Sequence, residues 1–363
     1  MKRFLLAFMT ILCIFIGYRA IIHSNYNKNE FKGKVLNVNN EQVITAGVSN
    51  LGEQKLIVQI KNGPYKNLEI HTDNFLSGAL EYDEFYKKED SILVGIYEKN
   101  GELKGKAISL YRVESILVLI SILSASLIIY AGIIGVKSIV SFMASLLVIW
   151  KFLIPALKGG NNIFLLTILV LIALSAIIIF LVAGFTKKGW AAFLGTLSGF
   201  SIITFLTFLF GDMMKLDGMN QPFAQSILLT TNLNVNLLQI FYITIALGAS
   251  GAAMDIAMDM AATVEEVYKN APHLSRKELI KSGFNVGQVV IGTMTTTLLL
   301  AYSGGYLTLL MIFLQRDISL STMLNIKIVS AEIVKILIGS ISLVVVAPLT
   351  AIISAYIYKK QGW

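Results

Sequence analysis

Two periodicities divide the chain. From about residue 25 to Arg112, apolar residues alternate with polar ones or come in short runs, as in Phe31 to Val38, Gln54 to Ile60, Asn67 to His71, Ser91 to Tyr97 and Gly105 to Tyr111. Turns rich in Gly, Asn, Asp and Lys separate them, which predicts five or six short strands. Strands of this length in about 85 residues make a small antiparallel barrel or sandwich, with an OB-like barrel as the best match. After Arg112 the alternation gives way to long apolar stretches at 113–135, 138–157, 162–185, 189–211, 237–260, 284–314 and 327–357. Together with the run Phe4 to Ile22 they make about eight segments, each near the roughly 20 residues that a membrane span requires. The predicted architecture is an α-helical multi-pass membrane bundle with a small extracytoplasmic β domain after the first span. Residues 1–24 form the anchor, 25–112 the β domain and 113–363 a seven-span membrane domain.

Composition removes the soluble alternatives. The chain is 55% hydrophobic and 14% charged, with a mean hydropathy of +0.72, whereas soluble domains carry about 25% charged residues. The net charge of +8 comes from basic clusters at the ends of apolar segments, not from a stripe that would track nucleic acid. If every segment crosses once, Lys2 and Arg3, Lys137, Lys187 and Lys188, the run Lys269 to Lys281, and Lys359 and Lys360 share one side. The positive-inside rule makes that side the cytoplasm of a cell membrane, with both termini inside and the β domain outside. The apolar run after Met1-Lys2-Arg3 exceeds the 7–15 residues of an ordinary signal h-region and reads as an uncleaved signal anchor. Cys13 is the only cysteine, so neither a disulfide framework nor a thiolate metal site is available, and it reads as a buried apolar residue. The stretch Gly211 to Leu238, with Asp212, Lys215 and Asp217, reads as an outer loop carrying one short amphipathic helix. The two long segments near the end predict tilt, a break at Ser303-Gly304-Gly305, or an interfacial start near Leu320.

Candidate chemistry gathers in the last three spans. Between Ala246 and Glu266 a helical period puts Gly248, Gly251, Ala252, Asp255, Asp259 and Ala262 on one face. Small residues admit a neighbouring backbone, so this face is expected to turn its carboxylates into the bundle. An ionisable residue inside a span is a functional candidate by default. In the final span Glu332, Lys335, Gly339 and Ser342 share a face, and the opposite charges at i, i+3 can neutralise each other or act as an acid and base coupled to movement. Between them, Gly283 and Gly287 form a GxxxG, while Asn285, Gln288, Gly292, Thr295 and Thr296 make a polar face. With Thr293, Gly304 and Gly305 these residues are expected to pack helices or line a pathway. Ser275 and Glu278 carry the signature of a capping box.

Enzyme readings fail on chemistry. Gly248-Ala-Ser-Gly251 spells the GxSG of intramembrane serine proteases, but His23, His71 and His273 fall outside the spans and leave the serine without a base. Asp255 and Asp259 share one helix, whereas an aspartyl protease takes its carboxylates from two. No HExxH, Walker loop or cysteine cluster occurs. The chain is therefore read as a non-enzyme without cofactor or metal, whose partners are the lipid bilayer and a homo-oligomer or other membrane protein.

The run Gly248 to Glu266, then Leu274 to Leu279, Ser282 to Gly287, Gly292 to Leu298, Ala301 to Gly305 and Glu332 to Lys335 resembles the YibE/F family of bacterial membrane proteins across about 113–358. The anchor and β domain fit that family's layout. Asp259 departs from it, since the resemblance implies a small or hydroxyl residue there. A second resemblance, to the membrane half of SecD/SecF and RND-type proton-driven transporters, rests on Met254 to Glu265 followed by Thr293 to Thr297. It implies a transport component, and the polar faces expected to converge in the last three spans lead to the same expectation, a permease in which Asp255 and the Glu332/Lys335 pair bias an alternating bundle by protonation. The competing expectation is a non-transporting scaffold that anchors the β domain.

Overall fold

The computed structural model describes residues 28–80, 82–157, 162–230, 236–315 and 318–359, with 10, 14, 17–19 and 22 before them. Lys2, Arg3, Cys13, His23 and Lys360 lie outside the described residues, as does most of the expected first span. The chain divides into two compact units, Met1–Val136 and Lys137–Trp363.

The first unit contains five strands: β1 (Glu30–Ala46), β2 (Ser49–Ile60), β3 (Glu69–Ser77), β4 (Ser91–Lys99) and β5 (Glu102–Leu110). They close into a barrel of order β1-β2-β3-β5-β4, antiparallel except for the short β3–β5 seam. This is the OB-like arrangement that the alternation predicts. Alternate residues point inward, and Phe31, Val35, Leu56, Val58, Ile60, Ile92 and Val94 fill the interior. The parallel seam depends on Gly105, where a Cβ would come within 2.3 Å of Thr72 Oγ1. A polar network straps the β3–β4 connection to the wall. Gln54 Nε2 donates to the Tyr86 carbonyl at 2.8 Å, the Tyr86 amide donates to Gln54 Oε1 at 3.1 Å, and Asn74 Nδ2 donates to the Glu84 carbonyl at 2.8 Å. Buried amides are tolerated there because their donors and acceptors are paired. β1 continues past its pairing with β4, which ends at Lys34, while staying paired with β2, which is itself paired with β3 from Leu51 to Gln59. The β1–β2 register is irregular between Val35 and Asn37 and between Asn39 and Gln42. A first helix, α1 (Val113–Ala131), follows. It ends at Gly132, whose φ of 60° turns the chain within one residue into α2 (Ile133–Leu157).

The helices after it are α3 (Ile163–Ala183), α4 (Lys187–Met213), the short α5 (Ala224–Thr230), α6 (Leu237–Asn270), α7 (Arg276–Gly304), α8 (Leu307–Gln315), α9 (Leu320–Asn325) and α10 (Lys327–Tyr358). Among the described residues seven helices are long and apolar enough to cross a membrane. In the second unit α4, α6 and α10 pack against one another, α7 lies on α6 and α10, and α3 lies on α4. Close approach holds the three central helices together. A Cβ at Gly195 would sit 2.0 Å from Thr350 Oγ1, and one at Gly199 would sit 2.2 Å from Val346 Cγ2. Where lipid is as apolar as leucine, this backbone-level packing replaces hydrophobic drive.

Three expected boundaries shift. The 284–314 segment is two helices, broken at Gly304–Tyr306 next to the Ser-Gly-Gly that foreshadowed it. The 113–135 segment stops at Gly132. The 237–260 span continues to Asn270, because Glu265 and Lys269 form an i, i+4 pair at 3.1 Å that supports a polar helical end.

Candidate functional site

α4 and α6 run antiparallel, as do α7 and α10, so the bundle has two chemically different ends. At one end lie the start of α4, the end of α6, the start of α7 and the end of α10. Glu265 there pairs with Lys188 at 3.2 Å and Lys269 at 3.1 Å. Lys187 lies over the Tyr358 ring at 5.8 Å, and the Arg276 guanidinium, 4.1 Å from the Tyr356 ring centre, donates to the Lys359 carbonyl at 2.9 Å. Ser275 caps α7 through the capping box expected with Glu278. The basic clusters of the second half are thus collected at a single end.

At the opposite end, Lys327 opens α10 and pairs with Asp217 of the α4–α5 loop at 2.7 Å. The Lys327 ammonium, hydrogen-bonded to Asp217, holds that carboxyl below the ordinary carboxylate range. One and a half turns into α10, Glu332 and Lys335 are both 6% exposed. Glu332 Oε2 lies 3.2 Å from Lys335 Nζ, but outside hydrogen-bonding direction, so this buried oxygen has no donor among the described residues. Lys335 Nζ also lies 5.8 Å from the centre of the Phe241 ring, a cation–π distance.

The pair borders an open recess of about 640 Å³ between α6, α7, α10 and the loop before α5. Tyr302 and Tyr306 line the same recess beside Glu332. Gly248 makes this possible, since a Cβ there would come 2.2 Å from the Tyr302 hydroxyl. Gly305, on the break after α7, lines the same recess, as does Gln221 of the loop, whose buried Nε2 has no partner among the described residues. Leu247, Pro222 and Ala301 supply an apolar part of the wall.

The acids of α6 are placed otherwise than expected. Asp255 and Asp259 are exposed, and Gly251 on their face has nothing within 4 Å. α6 carries a second small-residue face, Ala246, Ala249, Ala253 and Ala257, and that face is buried. Alanine gives close packing without burying a charge, so it takes the core and the carboxylates turn away. Asp255 lies mid-helix, about 10 Å along the axis from Gly248 at 1.5 Å per residue.

The polar faces of the last three spans converge only in part. Gly283 and Gly287 are buried, the first against Ala351 and Val264 and the second against Met260 and Ala347. Gly339 admits Leu298 and Ala249. Asn285, Gln288, Gly292, Thr293 and Thr296 are exposed, and Thr295 is half-buried. The hydroxyls of Thr293 and Thr296 bond back to carbonyls of their own helix, at Val290 and Gly292. Such back-bonding satisfies them without a neighbouring helix, which is why the polar face does not have to be buried.

Sequence reasoning found the ion pair and Gly248 but missed Tyr302, Tyr306, Phe241 and Gln221. The available signal was two tyrosines flanking Ser303-Gly304-Gly305 at a helix break. Among the described residues no group of three His, Cys, Asp or Glu side chains is placed to hold a metal.

Residues 119–360 match the family model described as YibE/F-like protein, and residues 24–110 match that of the YibE/F family N-terminal domain. No curated protein and no solved structure matches the chain. With the helical region and the barrel each covered by a model of the same family, this integral membrane protein belongs to the YibE/F family.

Proposed function

We propose that this protein is a permease or transport component of a cell membrane, with the recess beside Glu332 and Lys335 as its solute entry and protonation of Glu332 or Asp255 biasing the bundle. The observation that carries the reading is the buried ion pair with an unpaired oxygen at the wall of an open recess. A purely structural pair is stabilised when its remaining lone pairs find donors. Here one buried lone-pair set stays without a donor until the ion pair opens toward the recess. The basic end of the bundle is the cytoplasmic one by the positive-inside rule, so the recess opens outward. Asp255, exposed in mid-helix, is the next ionisable group along α6 below Gly248. The chemistry is binding and movement, with no bond made or broken.

A second reading, a non-transporting scaffold for the β domain, draws on the close-packed core of α4, α6 and α10. The two separate in proteoliposomes carrying an imposed pH gradient and supplied with a mixed pool of small polar solutes. Transport predicts faster dissipation than in empty vesicles and at least a tenfold slower rate for Glu332→Gln and Asp255→Asn. Equal rates in wild type, both variants and empty vesicles support the scaffold.

A further inference from the structure

The chemistry of the recess narrows what it accepts. Glu332 and Lys335 together are neutral, and both are withdrawn from water. A monovalent ion entering beside them leaves one uncompensated charge in a low-dielectric wall, at a cost of several kcal/mol. A solute bearing one ammonium and one carboxylate leaves none. The pair also has capacity at both poles: Glu332 Oε2 has no donor, while the Lys335 ammonium, with three N–H groups, has the carboxylate at 3.2 Å and the face of Phe241 at 5.8 Å. Gln221, which lines the same wall, has a second buried polar atom, Nε2, without a partner among the described residues. Leu247, Pro222 and Ala301 offer apolar surface for an aliphatic body, and about 640 Å³ lies within the roughly 300–1,000 Å³ of small-molecule sites.

On these grounds we infer that the recess binds a small zwitterion of amino-acid size, its ammonium on Glu332 and its carboxylate on Lys335, with Gln221 donating to the carboxylate. The inference rests on the reading of this recess as a solute entry. Binding exchanges the internal ion pair for two external ones, so the charge of the site is the same before and after.

The test uses the full chain in lipid nanodiscs and measures binding of glycine, alanine, valine and leucine by calorimetry. It repeats the measurement for leucine with 3-methylbutylamine and 4-methylpentanoate, which keep the aliphatic body and lose one charge each. At least one amino acid is expected to bind, leucine at least tenfold tighter than either analogue, and Lys335→Ala and Gln221→Ala to weaken binding at least tenfold and a few-fold. The analogue comparison is made on wild-type protein, so it stands even if Lys335→Ala does not fold. Equal binding of the analogues and leucine, or no amino-acid binding at all, overturns the inference. If Glu332-dependent dissipation of the pH gradient persists in that case, the permease reading survives. Zwitterion binding without any flux sinks transport while leaving the site intact.

Discussion

Glycine has opposite meanings at different positions of the bundle. At Gly195 the missing Cβ is occupied by Thr350, whose own hydroxyl is committed to the Val346 carbonyl at 2.7 Å and so cannot rotate away freely. Gly195→Ala is expected to lower the unfolding temperature of the detergent-solubilised protein, in line with an overpacking cost of about 1–3 kcal/mol. At Gly292 nothing lies within 4 Å, and Gly292→Ala should be neutral or stabilise α7 by up to about 1 kcal/mol through helix propensity. Parallel thermal melts of the two variants check both expectations. A larger loss at Gly292 than at Gly195 would contradict the packing described.

At the scale of elements, the α4–α5 loop is joined to the start of α10 by Asp217 and Lys327, each about half exposed. Because the Asp217 pKa is depressed, the tie is intact above the ordinary aspartate value of about 3.9 and is lost as pH falls through the lower folded value. Half-exposed pairs contribute under about 1 kcal/mol, so the effect is local. The protection factors of residues 214–223, with the intrinsic pH dependence of amide exchange divided out, should be constant from pH 7 to 5, fall below about pH 4, and lose that step in Asp217→Asn. Elements of this kind were unevenly legible in the sequence. The strands could be read because the barrel has one buried face and period-two alternation reports it directly. The polar sides of α6 and α7 could not, because small residues occupy two faces of α6. Sequence alone does not say whether Ala253 or Gly251 goes to the core. The place of Tyr302 and Tyr306 beside Ser303-Gly304-Gly305 was legible, but their role was not, since it arises where α7 breaks against a glycine of another helix.

For the whole molecule, the distribution of charge is the strongest statement about orientation. Lys188, Lys269, Arg276 and Lys359 collect at one end of the second unit, and the recess lies toward the other. In a Cys13→Ser background, Val48→Cys, on a residue 84% exposed, is expected to react with a membrane-impermeant maleimide added to intact cells. Lys281→Cys should react only after permeabilisation. Reaction of both from outside would reverse the assignment of the basic end.

The part of β1 that runs on past its pairing with β4 has a consequence for how this domain behaves among other proteins. Barrel closure removes most backbone edges, but among the described residues β1 beyond Val35 has no strand on its outer side. An open edge invites strand donation by a neighbouring chain and growth into sheets. Two register irregularities and the polar run Asn39-Asn40-Glu41 interrupt this edge, and Gly52, at φ 115°, accommodates the Gln42 carbonyl across the hairpin. Bends and polar residues on an exposed edge are a protection against aggregation. Removing the irregularity at Asn39–Gln42 is expected to leave the barrel core untouched and to make the domain self-associate.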